Sequence, residues 1–226
     1  MEKKTKTKRK IVKTLAVIFF VVGLGLIASD PISHWLVSWN QRNALNGLTA
    51  SKIAANKRKK GMFDFSKVGS MDPVKATKAR IKNTANAIGA IAIPKVKLYL
   101  PIMLGLSDDS LSTGGGTMRA DQKMGEGNYP LAGHYMTAKG ILFSPLENTK
   151  IGQKVYLTDL KKVYVYKIYY KKVVDPTSVW LVDNTEKKIV TLITCADGGI
   201  NRWAVRGNLI KVEKASHHNL EVFKLK

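Results

Sequence analysis

An all-β closed barrel behind a helical N-terminal extension is the architecture that three features of this sequence predict. From about residue 85 onward, short runs of β-forming residues alternate with turn residues, the spacing expected of many short strands. The run VYVYKIYY at 163–170 is dense in the β-branched and aromatic residues that suit a pleated sheet. Helical signal is confined to the first eighty or so residues and to short connections such as 107–113. Many short strands with few helices fit a sandwich or a closed barrel, and a barrel is the expectation.

The strands are expected at 87–93 (AIGAIAI), 98–104 (LYLPIML), 153–157, 162–174, 188–194 and 203–212. No internal repeat or low-complexity stretch interrupts them. Ahead of them, residues 40–80 are polar and basic, with NKRKK at 56–60 and breaks at Asn46-Gly47 and Gly61. This reads as a partly helical spacer, although its cations would also suit anionic lipid headgroups. The chain of 226 residues thus allows one domain, 81–226, large enough for a single core, plus an extension.

The extension divides again. Residues 3–13 carry seven Lys or Arg, and the run TLAVIFFVVGLGLIA at 14–28 carries no charge. Counting from Ile11, eighteen residues include only Lys13, whose stem can snorkel. At about 1.5 Å per residue they would span roughly 27 Å, close to the thickness of a hydrocarbon core. Trp35 and Trp39 follow where an interfacial aromatic belt would sit. The basic flank puts residue 1 in the cytoplasm and the remainder outside. The expected division is a basic cytoplasmic tail at 1–10, a signal anchor at 11–28, a basic extracellular linker at 29–80 and the domain at 81–226. A cleaved signal peptide is the competing reading, since Ala28-Ser29 offers small residues.

Charge excludes less than it suggests. With 38 Lys and Arg against 16 Asp and Glu the net charge is +22. Residues 1–80 hold 17 and 4 of these (+13), which leaves 21 and 12 (+9) for the rest. Such an excess suits nucleic acid, an anionic membrane or a polyanionic wall. Its place beside an apolar segment favours the membrane, and no nucleic-acid motif accompanies it, so no nucleic-acid partner is expected.

The chemistry narrows to few residues. Cys195 is the one cysteine, so neither a disulfide nor a CxxC metal site can form within the chain. Cys195 ends the apolar run IVTLIT and precedes Ala-Asp-Gly-Gly, a strand end facing a loop rather than a mid-strand burial. Of the four histidines, His34 follows the apolar segment, and His217 and His218 lie in a polar stretch. His134, in NYPLAGHYM, has small neighbours that let the chain pack closely, and a thiol nucleophile needs such a base or cation beside it. Arg202 returns seven residues after the cysteine and could hold an oxyanion through fixed N–H donors; Arg206 is a rival. No paired-carboxylate, Walker or HExxH pattern competes, so the residues alone indicate a cysteine hydrolase or transferase.

The segment TLITCADGGINRWAVRGNL at 191–209 resembles the sortase signature, in which TLxTC is followed by Arg-x-x-Val and a Gly. GNYPLAGH at 127–134 resembles the family's histidine segment, and IGAIAIPKVKLYLPIMLG at 88–105 its opening strands. The size and N-terminal apolar segment look most like the class A, housekeeping sortases of Gram-positive bacteria. The resemblance implies an eight-stranded barrel with Cys195 as nucleophile, His134 as acid/base and Arg202 as stabiliser of the oxyanion or substrate. It implies cleavage of an LPxTG-type signal between Thr and Gly through a thioacyl-enzyme, followed by transfer to an amine of a wall precursor such as lipid II. Thr194 and Ala132 match substrate-contacting positions. In DPTSVWLV at 175–182, Pro176, Thr177, Val179 and Leu181 match the loop over the Leu-Pro part of the signal. Some class A relatives need calcium; here the corresponding stretch carries Arg119 and Gln122 with only Asp121 and Glu126 acidic, too few oxygen ligands for a hard cation. No metal and no other cofactor is therefore expected. Two further readings are a pilin-polymerising sortase with a protein lysine as acceptor, and an inactive wall-binding module of the same fold.

Overall fold

Alternation of apolar and polar residues becomes eight strands in the computed structural model, which describes residues 2–65, 68, 86–136 and 140–225, with side chains in the first helix at 13–25, 31–32 and 34–46. The strands are β1 (Ala87–Ile93), β2 (Leu98–Met103), β3 (Gly115–Thr117), β4 (Asn128–Ala132), β5 (Lys154–Thr158), β6 (Lys162–Val174), β7 (Ile189–Ala196) and β8 (Asn201–Lys214). They close in the order β1-β2-β3-β4-β7-β8-β6-β5, with β5 pairing back to β1. Two neighbours run parallel, β2 with β3 and β4 with β7. Closure gives every strand a neighbour on both sides, so no strand stands as a free edge.

Two of these strands differ from the sequence expectation, which contained neither β3 nor β4. β3 is only Gly-Gly-Thr, with no side-chain signal of a strand. β4 contains Pro130, which lacks an N–H and argues against an interior strand. Pro130 turns its carbonyl to the β3 side, where it accepts from Met118 N and Gln122 Nε2. β3 pairs with β4 only through Thr117 and Leu131 and Gly116 and Ala132, so the missing donor falls beyond the end of that ladder.

The barrel is filled by Ile91, Ile93, Leu100, Ile102, Leu131, Phe143, Leu157, Tyr166, Leu192 and Val205, all buried. Burying each such side chain is worth about 1.5–3 kcal/mol. Phe143 shows how tightly they fit. A Cβ on Gly133 would lie 2.6 Å from its ring and one on Gly115 would lie 2.8 Å from it, so both positions exclude a side chain. In β6 a bulge between Ile168 and Tyr170 shifts the strand's parity. Tyr166 and Ile168 face the barrel interior, whereas Tyr170 packs on an outer apolar cluster.

The N-terminal extension is helical as expected. α1 runs over Glu2–Asn46 with Pro31 inside it, and α2 (Ala50–Asn56) is capped by Thr49, whose side chain accepts from Lys52 N. The expected membrane-spanning helix at 11–28 is met only in its helicity. Among the described residues no helix is long and apolar enough to cross a membrane. Of the expected span, the side chains at 11–12 and 26–28 lie outside the described residues. Further along, Val37 joins the barrel core, Leu45 packs with Ala90, Ala92 and Phe223, and Asn56 Nδ2 donates to Ala87 O at 2.9 Å. Part of the stretch expected as linker therefore lies against the barrel wall. Two further short α-helices lie among the described residues, α3 (Asp108–Leu111) and α4 (His217–Leu220).

Candidate active site

Strand register alone assembles the site. In the antiparallel β7–β8 pair Cys195 stands opposite Arg202, and Ile193 opposite Ala204. In the parallel β4–β7 pair Ala132 stands beside Ile193. Gly133 N continues that ladder to Ile193 O at 3.1 Å, and Thr194 Oγ1 donates to Gly133 O at 2.7 Å. Carried on by two steps beyond the end of β4, the same register would bring residue 134 level with Cys195. Alternation along strands then decides which side chains share a face. Ala132, Ile193 and Ala204 lie together on the outer wall with Leu106, Leu111, Met118 and Leu181. Cys195 and Arg202 share that parity within their strands, and His134 follows two residues after Ala132, the end of β4.

Cys195 differs from its strand neighbours in exposure. Cys195 is half-buried between Thr194, 2% exposed, and buried Ala196. His134 and Arg202 are also half-buried. Arg202 Nη1 donates to Gly199 O at 2.7 Å and Asn201 O at 2.9 Å, which folds the guanidinium over the turn after the cysteine. Arg206, the rival cation, is engaged elsewhere: its Nε donates to Thr191 Oγ1 at 3.2 Å and its guanidinium lies 5.1 Å from the Trp180 ring.

The loop beyond His134 is braced from below. Phe143 N donates to His134 O at 3.0 Å and Tyr135 Oη donates to Glu147 Oε2 at 2.7 Å, a bond that pushes the Tyr135 phenol up. Lys171 Nζ donates to Glu147 O at 2.5 Å and Thr149 O at 2.9 Å and sits 4.6 Å from the Trp203 ring. Burial pushes the Lys171 ammonium down, against the pull of the Glu147 charge.

The expected signal-binding residues fall into two groups. Ala132 and Leu181 are buried together in the outer cluster. Pro176, Thr177 and Val179 lie exposed on the β6–β7 connection, where Thr177 N and Oγ1 both donate to Asp175 Oδ1 and hold Asp175 below the usual carboxylate range. Thr194 has the opposite parity to Cys195, and its hydroxyl ties β7 to β4. At the calcium-type stretch, Arg119 pairs with Asp121 through two bonds of 2.9 and 2.8 Å, and this holds the Asp121 carboxyl down. Among the described residues no group of three or more His, Cys, Asp or Glu side chains could hold a metal ion. Sequence reasoning missed Asn128, which is fully buried and uses its whole amide. The signal that could have found it is a polar amide inside a strand, where Asn is disfavoured.

A sortase-domain model matches residues 91–210, the stretch that contains the whole constellation. The chain belongs to the sortase family. It is 39% identical to Sortase A of Listeria monocytogenes over 212 residues, covering 89% of this chain and 93% of that one. It is 39% identical to Sortase A of Streptococcus agalactiae over 191 residues, covering 81% and 77%. The solved structure of the Listeria monocytogenes sortase A superposes with a TM-score of 0.60 at 40% identity, over 62% of this chain and 99% of that one. This sortase is accordingly a transpeptidase on an eight-stranded barrel.

Proposed function

We propose that this sortase cleaves an LPxTG-type sorting signal between Thr and Gly and joins the surface protein to an amine of a wall precursor such as lipid II. The observation that supports this reading is the pairing of Cys195 with Arg202, with His134 just beyond β4, at one end of an apolar strip floored by Ala132, Ile193 and Ala204. A short apolar segment lying on that strip would present its last carbonyl to the thiol.

In this mechanism the Cys195 thiolate attacks the Thr carbonyl carbon, and Arg202 donates hydrogen bonds to the oxyanion as it forms. The C–N bond to Gly breaks as the His134 imidazolium passes its proton to the departing amine, which leaves a thioester. The acceptor amine then attacks that thioester; His134 takes a proton from it, the C–S bond breaks and the thiolate returns. Water in place of the amine gives hydrolysis. Leu181 and Ala132 line the place of the apolar part of the signal, and Pro176, Thr177 and Val179 form its exposed rim. Thr194 fixes the height of β7 against β4. No metal takes part.

The same reading extends to location. Residues 1–10 form a cytoplasmic tail, 11–28 a single-pass signal anchor, 29–80 a basic linker and 81–226 the catalytic domain on the outer face. Exposed Leu15, Val17, Ile18, Phe19, Phe20, Val21, Val22 and Leu24 on one helix support it, since a helix apolar all round needs a non-aqueous surrounding.

The test uses the full chain in detergent with a quenched LPxTG peptide, with and without triglycine, beside Cys195→Ala. Thr–Gly cleavage that disappears in the variant, with ligation when amine is present, is the expected outcome. A folded, alkylatable enzyme that leaves every such peptide intact would sink the assigned signal.

A further inference from the structure

Three consecutive backbone carbonyls of the β6–β7 connection are held by side chains from other parts of the barrel. Asn128 Nδ2 donates to Leu181 O and to Asp183 O, each at 2.8 Å. Arg119 Nη1 donates to Val182 O at 3.2 Å. Both carbonyls facing Asn128 only accept, so its amide nitrogen must face them, and its oxygen must face the Thr191 hydroxyl, which donates to it at 2.7 Å. That leaves a Thr191 lone pair for Arg206 Nε at 3.2 Å. Arg206 in turn lies against Trp180 of the same connection. Each polar atom in this relay has a use, and Asn128 and Thr191 are both completely buried.

We infer that Asn128, Thr191, Arg206 and Arg119 form a positioning unit that fixes the height of residues 180–183 above the outer apolar strip. They thereby determine how closely Leu181 grips the apolar residue of the sorting signal. The inference deepens the proposed function and rests on its reading that this strip takes the Leu-Pro part of the signal. The geometry favours a role in grip over a role in bond cleavage. The unit holds Leu181, which packs against Ala132 and Ile193, and Arg206 stands at the far side of Ala204 from Arg202 along β8. It also gives Arg206 an occupation that keeps it away from the oxyanion.

The decisive pair is Thr191→Val against Thr191→Ser in the full chain. Valine keeps the volume and removes the hydroxyl, so Asn128 loses its donor and Arg206 its acceptor; serine keeps both contacts. Arg119→Met, at a half-buried side chain outside the Asn128–Thr191 relay, is a third variant that leaves the buried relay whole if Thr191→Val fails to fold. Thr191→Val and Arg119→Met should each raise KM for the LPxTG peptide about tenfold and reduce the preference for Leu over Ala at its first position. The rate of Cys195 alkylation by iodoacetamide and kcat should stay within about twofold, and Thr191→Ser should restore KM. Hydrogen exchange of the 180–183 amides should quicken by about tenfold in the first two variants alone. Unchanged KM, Leu/Ala preference and exchange in both would overturn the inference, as would a loss confined to kcat. A wild-type enzyme inert to the peptide would instead strike the signal assignment, and the exchange comparison would still decide whether the unit holds the loop.

Discussion

The two connections that flank β7 are built on opposite plans. The β6–β7 connection ends in Leu181–Asn184, where Asn128 and Arg119 take three carbonyls in a row and Asn184 Oδ1 accepts from Asn128 N. The β7–β8 turn, directly after Cys195, has four successive exposed residues, Asp197 to Ile200. Asp197, Gly198 and Gly199 all have positive φ, and Ile200 is 73% exposed. Its ties are a hydrogen bond from Asn201 Nδ2 to Asp197 Oδ2 and the Arg202 contact with Gly199 O. One wall of the site is therefore fixed by buried side chains before substrate arrives, and the other is held by the residue assigned to the chemistry. A rigid grip can select a signal, while a loosely tied turn leaves the guanidinium able to exchange a backbone carbonyl for an oxyanion.

The difference can be broken at its strongest point first. Arg202→Ala removes both the proposed oxyanion donor and the tether of the turn, and should cost about 10²–10³ in kcat, read by steady-state peptide cleavage with KM little altered. Gly133→Ala acts on the floor under His134, where a Cβ meets the Phe143 ring. It should destabilise the barrel by about 1–3 kcal/mol, measured by urea unfolding, and Phe143→Leu in the same chain should recover part of that loss.

Alkaline pH probes the barrel that carries both connections. Burial pushes the phenols of Tyr129 and Tyr166 well above their ordinary value. The native state then keeps protons that the unfolded chain gives up near about pH 10. Their contribution is complete below that pH and is lost as pH rises towards the folded values. Unfolding curves between about pH 9 and about pH 12 should show falling stability, with a shallower fall in Tyr129→Phe. The smallest effect concerns calcium. With Arg119 seated on Asp121, added calcium should leave kcat/KM of the full chain unchanged; strong activation would show that this pair yields to a cation.

Legibility followed side-chain volume. Ile91, Leu100, Tyr166 and Leu192 announce their strands by alternation, and six of the expected runs lie where strands occur. The Gly-Gly-Thr of β3 and Pro130 of β4 announce nothing, because their pairing is imposed by neighbours rather than preferred by the residues. At the site, the residue types and motif of His134, Cys195 and Arg202 were readable, together with the small residue Gly133. The buried amide of Asn128 was not, since its partners are backbone carbonyls more than fifty positions away, which leave no mark in the sequence. Residue type alone left Arg206 a rival to Arg202 and only the motif resemblance favoured Arg202; the two differ in what lies beside them.

The parallel pairing of β4 with β7 has a consequence for how the chain comes to life. His134 and Cys195 are 61 residues apart, and nothing local brings them together; β7 must slot between β4 and β8. During synthesis the histidine emerges long before the thiol, and the C-terminal strand that supplies Arg202 emerges last. On the proposed roles a half-made chain thus carries a cysteine without its partners, and ring closure itself brings them together. Slippage of one residue in that closing step would turn Cys195 inward, so a misassembled copy would be silent rather than promiscuous.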